Sequence, residues 1–142
     1  MKNKIEVFAL IILVLLFNTA VNSVEKFLYE ADEIEILNNG TTIVGKNNVK
    51  IVINGNVSAS GNKIIYTKDN GIAKLIGNIK IHDKENKITI DTDEISFLQY
   101  ENTIISNKKS IFVFNNQYFG ESKNFYYFID KAKIVSNNEV RI

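Results

Sequence analysis

A repeat of about 30 residues constrains this chain more than any other feature of its sequence. Four segments align at steps of 30, 31 and 30 residues: ADEIEI from 31, GNKIIY from 61, TDEISF from 92 and SKNFYY from 122. A second set recurs between them: NNVKI from 47, GNIKI from 77, KSIFV from 109 and NEVRI from 138. A period of this length predicts stacked units that bury a shared apolar face.

Within the repeat, apolar and polar residues alternate, which is the pattern of strands with one buried face. Asn-Gly at 39–40 and 54–55, Asp-Asn-Gly at 69–71 and Asn-Asn at 115–116 separate the runs. These residues accept the positive φ angles of tight hairpin turns. For one unit we predict a strand over 77–82, a second over 88–97 that bends near 91–93, and a third over 103–106. The chain is therefore predicted to be all-β.

Units stacked side by side produce two facing antiparallel sheets with a slot between them and a polar outside. The side chains predicted to line the slot alternate along the strands. For each of them, packing in the core is a simpler interpretation than contact with a ligand. They are Ile34, Ile36, Val49, Ile51, Val57, Ile64, Tyr66, Ile79, Ile81, Ile88, Ile90, Ile95, Phe97, Ile111, Val113, Phe125 and Tyr127.

The N-terminal segment has the layout of a secretory signal peptide. Lys2 and Lys4 precede the apolar run IEVFALIILVLLF at 5–17, and small residues follow it. The run is shorter than the roughly 18 to 20 residues that span a bilayer. We therefore expect cleavage after Ser23, export, and a single mature domain over residues 24–142. An uncleaved membrane anchor is the alternative.

Composition narrows the function further. The chain has no cysteine and no proline, so its stability must come from packing and strand pairing, and every residue of the mature chain has an N–H for a ladder. Its formal net charge is +1, which gives no indication of a nucleic-acid partner.

The residues offer little for catalysis. The single histidine, His82, ends a predicted strand beside a turn, and one histidine without cysteine builds neither a Cys-His pair nor a multi-histidine zinc site. The acidic run DTDE at 91–94 lacks the glycine and distal glutamate of a calcium loop, and in a regular strand its carboxylates fall on opposite faces. The aromatic run NFYYF at 124–128 is typical of strands. We predict no enzyme activity, no cofactor and no metal.

The recurring strands GNIKIHDKENKITIDTDEISF and GKNNVKIVINGNVSASGNKIIY resemble the OstA-like domain of lipopolysaccharide transport, over nearly all of residues 27–142. That family comprises the periplasmic protein LptA, its partner LptC and the N-terminal domain of LptD. The resemblance implies a twisted β-jellyroll open along one side, which holds the acyl chains of lipid A inside while the sugar projects into solvent. It also implies a periplasmic location and head-to-tail stacking with itself and with LptC-like and LptD-like domains. Which member the chain resembles most stays open.

Two functions remain in competition. The first is a bridge protein that shields lipid A acyl chains in an apolar groove on the way to the outer membrane. The second is a structural or adhesive exported β-repeat protein with a closed core and no lipid ligand. Since SNNEVRI at 136–142 matches only the first strand of a repeat, we also expect an open edge there that pairs by strand addition with residues around 27–36 of another jellyroll.

Overall fold

A computed structural model describes residues 27–137, so the predicted signal peptide and the predicted edge strand over 138–142 lie outside the described residues. The described strands are β1 Phe27–Glu30, β2 Glu33–Leu37, β3 Thr42–Ile53, β4 Val57–Thr67, β5 Ile72–Asp83, β6 Ile88–Leu98, β7 Thr103–Ser106, β8 Ser110–Phe114, β9 Tyr118–Ser122, β10 Phe125–Phe128 and β11 Lys133–Val135. Three single turns of 3-10 helix span Asn38–Gly40, Gln99–Glu101 and Ile129–Lys131. In this part of the chain no helix is long and apolar enough to cross a membrane.

The eleven strands form one antiparallel sheet that divides into two halves. Half A follows the order β2, β3, β4, β5, β6, β7, β10, β11, and half B the order β1, β3, β4, β5, β6, β8, β9. The long strands β3 to β6 belong to both halves. Each of them contributes one end to half A and the other end to half B.

The long strands pass from one half to the other at β-bulges. The register shifts between Lys46 and Val49 in β3 and between Ile76 and Ile79 in β5. A bulge inserts residues on one strand, which bends the sheet. Gly77 is required at the second bulge: its φ is +86°, and a Cβ there would lie 2.6 Å from Nδ2 of Asn62. The bend predicted near residues 91–93 lies in β6, opposite this bulge.

The bends fold half B over half A, so that their inner faces pack together. The ring of Phe27 in half B lies 5.1 Å from that of Tyr66 and 5.5 Å from that of Phe97, both in half A. Near the other end, Phe112 of half B meets Phe125 of half A edge-on at 5.2 Å. Each fully buried isoleucine or phenylalanine between the halves stabilises the fold by about 1.5–3 kcal/mol.

The architecture confirms the predicted fold class, an open twisted jellyroll of two facing antiparallel sheets. It is open because the sheet does not close into a barrel: within residues 27–137, β1 and β2 end it on one side and β9 and β11 on the other. The strand predicted over 88–97 corresponds to β6, and the one predicted over 77–82 is the second half of the longer β5.

Candidate functional site

Two rows of mostly apolar side chains line the interior between the halves. Cross-strand register aligns one row of side chains over half A from end to end: Ile36, Ile43, Tyr66, Ala73, Phe97, Ile104, Tyr127 and Ile134. A facing row crosses half B: Tyr29, Ile51, Ala59, Ile81, Ile90 and Phe112. In the middle of both rows these side chains are buried. The two rows therefore form a continuous apolar layer that runs across the strands, from one edge of the sheet to the other.

Most of the residues predicted to line the slot lie in this layer. Those that are buried are Val49, Ile51, Val57, Ile64, Ile79, Ile81, Ile88, Ile90, Ile95, Phe97, Phe125 and Tyr127, and Tyr66 packs against them while partly exposed. Their position inside is established, whereas their contact with a lipid remains a prediction.

Ile34 and Ile36, which were predicted to line the slot, lie on the inner face of half A but at its uncovered end. They share a face with the buried Ile64 and Ile43, yet they are 52% and 66% exposed. Phe27 of half B packs over the third and fifth strands of half A, so the two halves are offset. As a result β2 extends beyond the cover of half B, and its apolar face opens to solvent.

Ile111 and Val113 were predicted to point inward, and this was wrong. Register pairs Phe112 with the buried Ile90, so Ile111, which is 46% exposed, and Val113 face outward. The loop between Ser106 and Ser110 holds one residue more than the bulge between Ile76 and Ile79, and this shifts the strand by one position. A one-residue shift exchanges the two faces of a strand.

Sequence reasoning missed several buried residues. Ile53 and Ala59 lie two positions beyond predicted members of their strands, so extending the alternation would have found them. Phe112 could not be assigned because SIFVF has apolar residues on both faces of the strand. The other buried apolar residues outside the predicted set are Ile43, Val44, Ala73, Leu75, Ile104 and Ile129.

One side of the interior is a seam and the other is a slit. At the seam the backbone continues from half to half, and the buried Ser110 donates a hydrogen bond to Oγ1 of Thr92 at 2.9 Å. At the slit, two rows of turns face each other. Half A presents residues 38–41, 68–71, 99–102 and 129–132, and half B presents 54–56, 84–87 and 115–117.

A buried acidic residue, Asp83, lies at the slit. Its carboxylate accepts a hydrogen bond from the hydroxyl of Tyr127 and two from Asn86, from its backbone N–H at 2.9 Å and its side-chain amide at 2.8 Å. Burial opposes ionisation of Asp83, but these hydrogen bonds outweigh it and hold the pKa of Asp83 below its ordinary value of 3.8. Burial, and then the bond to Asp83, raise the pKa of Tyr127. The pair is thus an ionised carboxylate held by a neutral phenol.

No catalytic arrangement emerges from the polar residues in the described part of the chain. His82 is exposed and its Nδ1 lies 3.3 Å from the hydroxyl of Thr89. Asp91 and Glu94 do not split between faces as expected, because β6 bends between them; they pair outside with Lys80 at 3.3 Å and Lys74 at 3.1 Å. Among residues 27–137 no cluster of three His, Cys, Asp or Glu could hold a metal ion.

A second concavity lies outside the interior. It measures about 390 Å³ and is lined by Leu28, Val52, Ser58 and His82, which share the outer face of half B. Because half B separates it from the apolar rows, it is not part of the slot.

The geometry is that of an open β-jellyroll of the LptA type. Among solved structures, the chain is similar to LptH, the LptA-homologous periplasmic component of the lipopolysaccharide transport device from Pseudomonas aeruginosa. The TM-score is 0.67 at 15% sequence identity, over 81% of this chain and 84% of LptH. No protein-family model and no curated protein matches the sequence. The resemblance drawn from the repeat is thereby confirmed at the level of the fold.

Proposed function

We propose that this protein is a periplasmic lipopolysaccharide-binding bridge protein, which shields lipid A acyl chains in its interior during transport to the outer membrane. The observation that carries the proposal is the apolar layer that runs from the β2 edge to the β11 edge. It occurs in a fold shared with a periplasmic component of a lipopolysaccharide transport device. Each methylene that an acyl chain buries there contributes about 0.8 kcal/mol. Movement along the layer is passive and takes its energy from a partner.

The proposal includes end-to-end assembly with a second copy and with LptC-like and LptD-like jellyrolls. The edge strands β2 and β11 have one side without a neighbour in the described chain, and such edges pair readily with other strands. At one end the exposed Ile34 and Ile36 extend the apolar layer to the surface, and at the other Tyr118 does so. Stacking would continue the layer from one molecule to the next.

A structural protein with a closed core is the second candidate, and one observation favours it. In the middle of the molecule, Ile51, Ile64, Ile81 and Ile90 are fully buried by their neighbours without any ligand. Under the transport function the halves must part to admit lipid. Under the structural function they stay together.

Lipid retention distinguishes the two. The mature protein would be purified from a lipopolysaccharide-producing host and examined by native mass spectrometry. We expect a population carrying the added mass of lipopolysaccharide, and we expect that population to be lost in Ile81→Glu but kept in His82→Ala. Wild-type protein without lipid under conditions that preserve weak complexes would refute the transport function and favour the structural one.

A further inference from the structure

Side-chain hydrogen bonds cross the slit and join its two rows of turns. Nδ2 of Asn54, in a turn of half B, donates to Oδ1 of Asn102, in a turn of half A, at 3.5 Å. Asn102 in turn donates to Asp130 at 2.5 Å. Below them Tyr127 of half A donates to Asp83 of half B. We call these five residues the latch.

The latch lies between solvent and the apolar interior. A concavity of about 210 Å³ opens above it, lined from half B by Asn54 and Asp83 and from half A by Ile129 and Asp130. On the inner side of the latch, its member Tyr127 is fully buried within the apolar row of half A. Parting the latch would therefore connect the concavity with the interior.

Backbone hydrogen bonds connect neighbouring turns within each row. In half A, backbone hydrogen bonds join neighbouring turns, from Lys68 to Thr41 and from Gln99 to Gly71, both at 2.9 Å. In half B, Asn115 donates in the same way to Lys87 at 2.9 Å. The rows are thus continuous along their length, while the latch that joins them consists of side chains.

The seam opposite the slit supplies the hinge. There β3 to β6 continue through their bulges from one half to the other, so the halves cannot separate on that side. The two halves can consequently separate only at the slit.

We propose that the latch gates the interior, and that acyl chains enter sideways through the slit when the Asn54–Asn102 and Asp83–Tyr127 contacts part. The inference rests on the proposed transport function. It differs from threading through the open ends of the jellyroll, which would leave the latch intact.

A disulfide across the slit tests the gate, since the chain has no cysteine of its own. The test variant is Asn54→Cys with Asn102→Cys, closed by oxidation or by a short bifunctional thiol reagent. The control is Asp32→Cys with Asn48→Cys, whose side chains lie 2.6 Å apart and do not cross the slit. Both pairs place a cysteine where φ is positive, at Asn48 in the control and at Asn54 and Asn102 in the test variant.

The probe is uptake of fluorescently labelled lipopolysaccharide. We expect the closed test variant to take it up at least tenfold more slowly than its reduced form, with full recovery on reduction. The control should equal the wild type in both states. Equal uptake by the closed and reduced test variants would overturn the gate and indicate entry by the ends, while the transport function would stand.

A second measurement needs no lipid. Ala59, buried in half B, is replaced by cysteine, and the rate at which a soluble thiol reagent modifies it reports opening. Tyr127→Phe should raise that rate roughly fivefold, the factor for one hydrogen bond of about 1 kcal/mol. Tyr66→Phe is the control, because its bond to Gln99 stays within half A. An unchanged rate in Tyr127→Phe would overturn the gate. A raised rate without lipopolysaccharide uptake by any form would keep the gate and refute the transport function.

Discussion

At the scale of single residues, Asp83 is the position where the chain departs most from a plain apolar core. Strand alternation places it in the row of Phe27, Ile53 and Val57, where an apolar residue is expected. Its partner Tyr127 lies 44 residues away in the other half. The sequence shows only an aspartate at the end of a strand, so this pairing could not be predicted before the offset of the halves was known.

Asp83 makes stability depend on pH in acid. Because its pKa in the folded state lies below the ordinary value of 3.8, the unfolded chain takes up the proton first as pH falls. Asp83 therefore contributes its full stabilisation at pH values above its ordinary pKa. This contribution is lost as the pH falls through the pKa of the folded state, and it amounts to about 1.4 kcal/mol for each pH unit between the two pKa values. Urea unfolding at a series of pH values should show this loss, and Asp83→Asn should reduce it. An equal loss in Asp83→Asn would contradict the assignment.

Charge on the inner face should be far more damaging than change on the outer face. Ile81 is fully buried and its neighbour His82 is exposed. Ile81→Glu should lower the free energy of unfolding by several kcal/mol, since a buried carboxylate without partners is costly. His82→Ala should change it by less than about 0.5 kcal/mol. A wild-type urea midpoint for Ile81→Glu would mean that the inner face is assigned incorrectly.

At the scale of elements, the bent strands were predictable and β8 was not. In β3, β5 and β6 a lysine or a threonine separates the members of each apolar pair, Val49/Ile51, Ile79/Ile81 and Ile88/Ile90, so the buried face at these positions follows from the sequence alone. In β8 both parities are apolar, and the polar Ser110 occupies the core position that Ile79 holds in the preceding unit. The local sequence pattern cannot show which face of such a strand is buried, because the length of the preceding loop sets the register of the strand.

The register of β8 can be tested by truncating adjacent residues. Phe112→Ala should destabilise the protein by about 3–5 kcal/mol, because it removes a buried ring that packs against Phe125. Val113→Ala, on the outer face, should cost less than about 1 kcal/mol. Thermal unfolding of the two variants measures the difference. A larger loss for Val113→Ala would restore the register that the repeat alone suggested.

At the scale of the whole molecule, the two ends of the open jellyroll are complementary. Every neighbouring pair in half A is antiparallel, and an odd number of steps separates β2 from β11, so these edges run in opposite directions. When one copy is stacked on another by translation, β11 and β2 meet as an antiparallel pair. In the proposed end-to-end assembly, the neighbouring copy would cover Ile34 and Ile36, which are exposed in the single chain.

This arrangement predicts that the protein assembles in a concentration-dependent way, and that one charged residue introduced at the β2 edge abolishes the assembly. Ile36→Lys should leave the monomer folded, because Ile36 is already exposed, but it should prevent the increase of molar mass with concentration in light scattering. Ile111→Lys is the control, an exposed isoleucine on the outer face of half B and outside the β2 edge. If Ile36→Lys assembles like the wild type, the β2 edge is not the contact.

Site-specific photo-crosslinking to lipopolysaccharide tests whether the interior of the jellyroll holds acyl chains. A photoreactive residue would be placed in turn at the inner positions 81 and 97 and at the outer positions 58 and 82, which alternate with the inner ones along the same sheet. Lipid adducts are expected at positions 81 and 97, and none above background at positions 58 and 82. Adducts confined to the outer positions, or equal at all four, would contradict an interior that carries acyl chains.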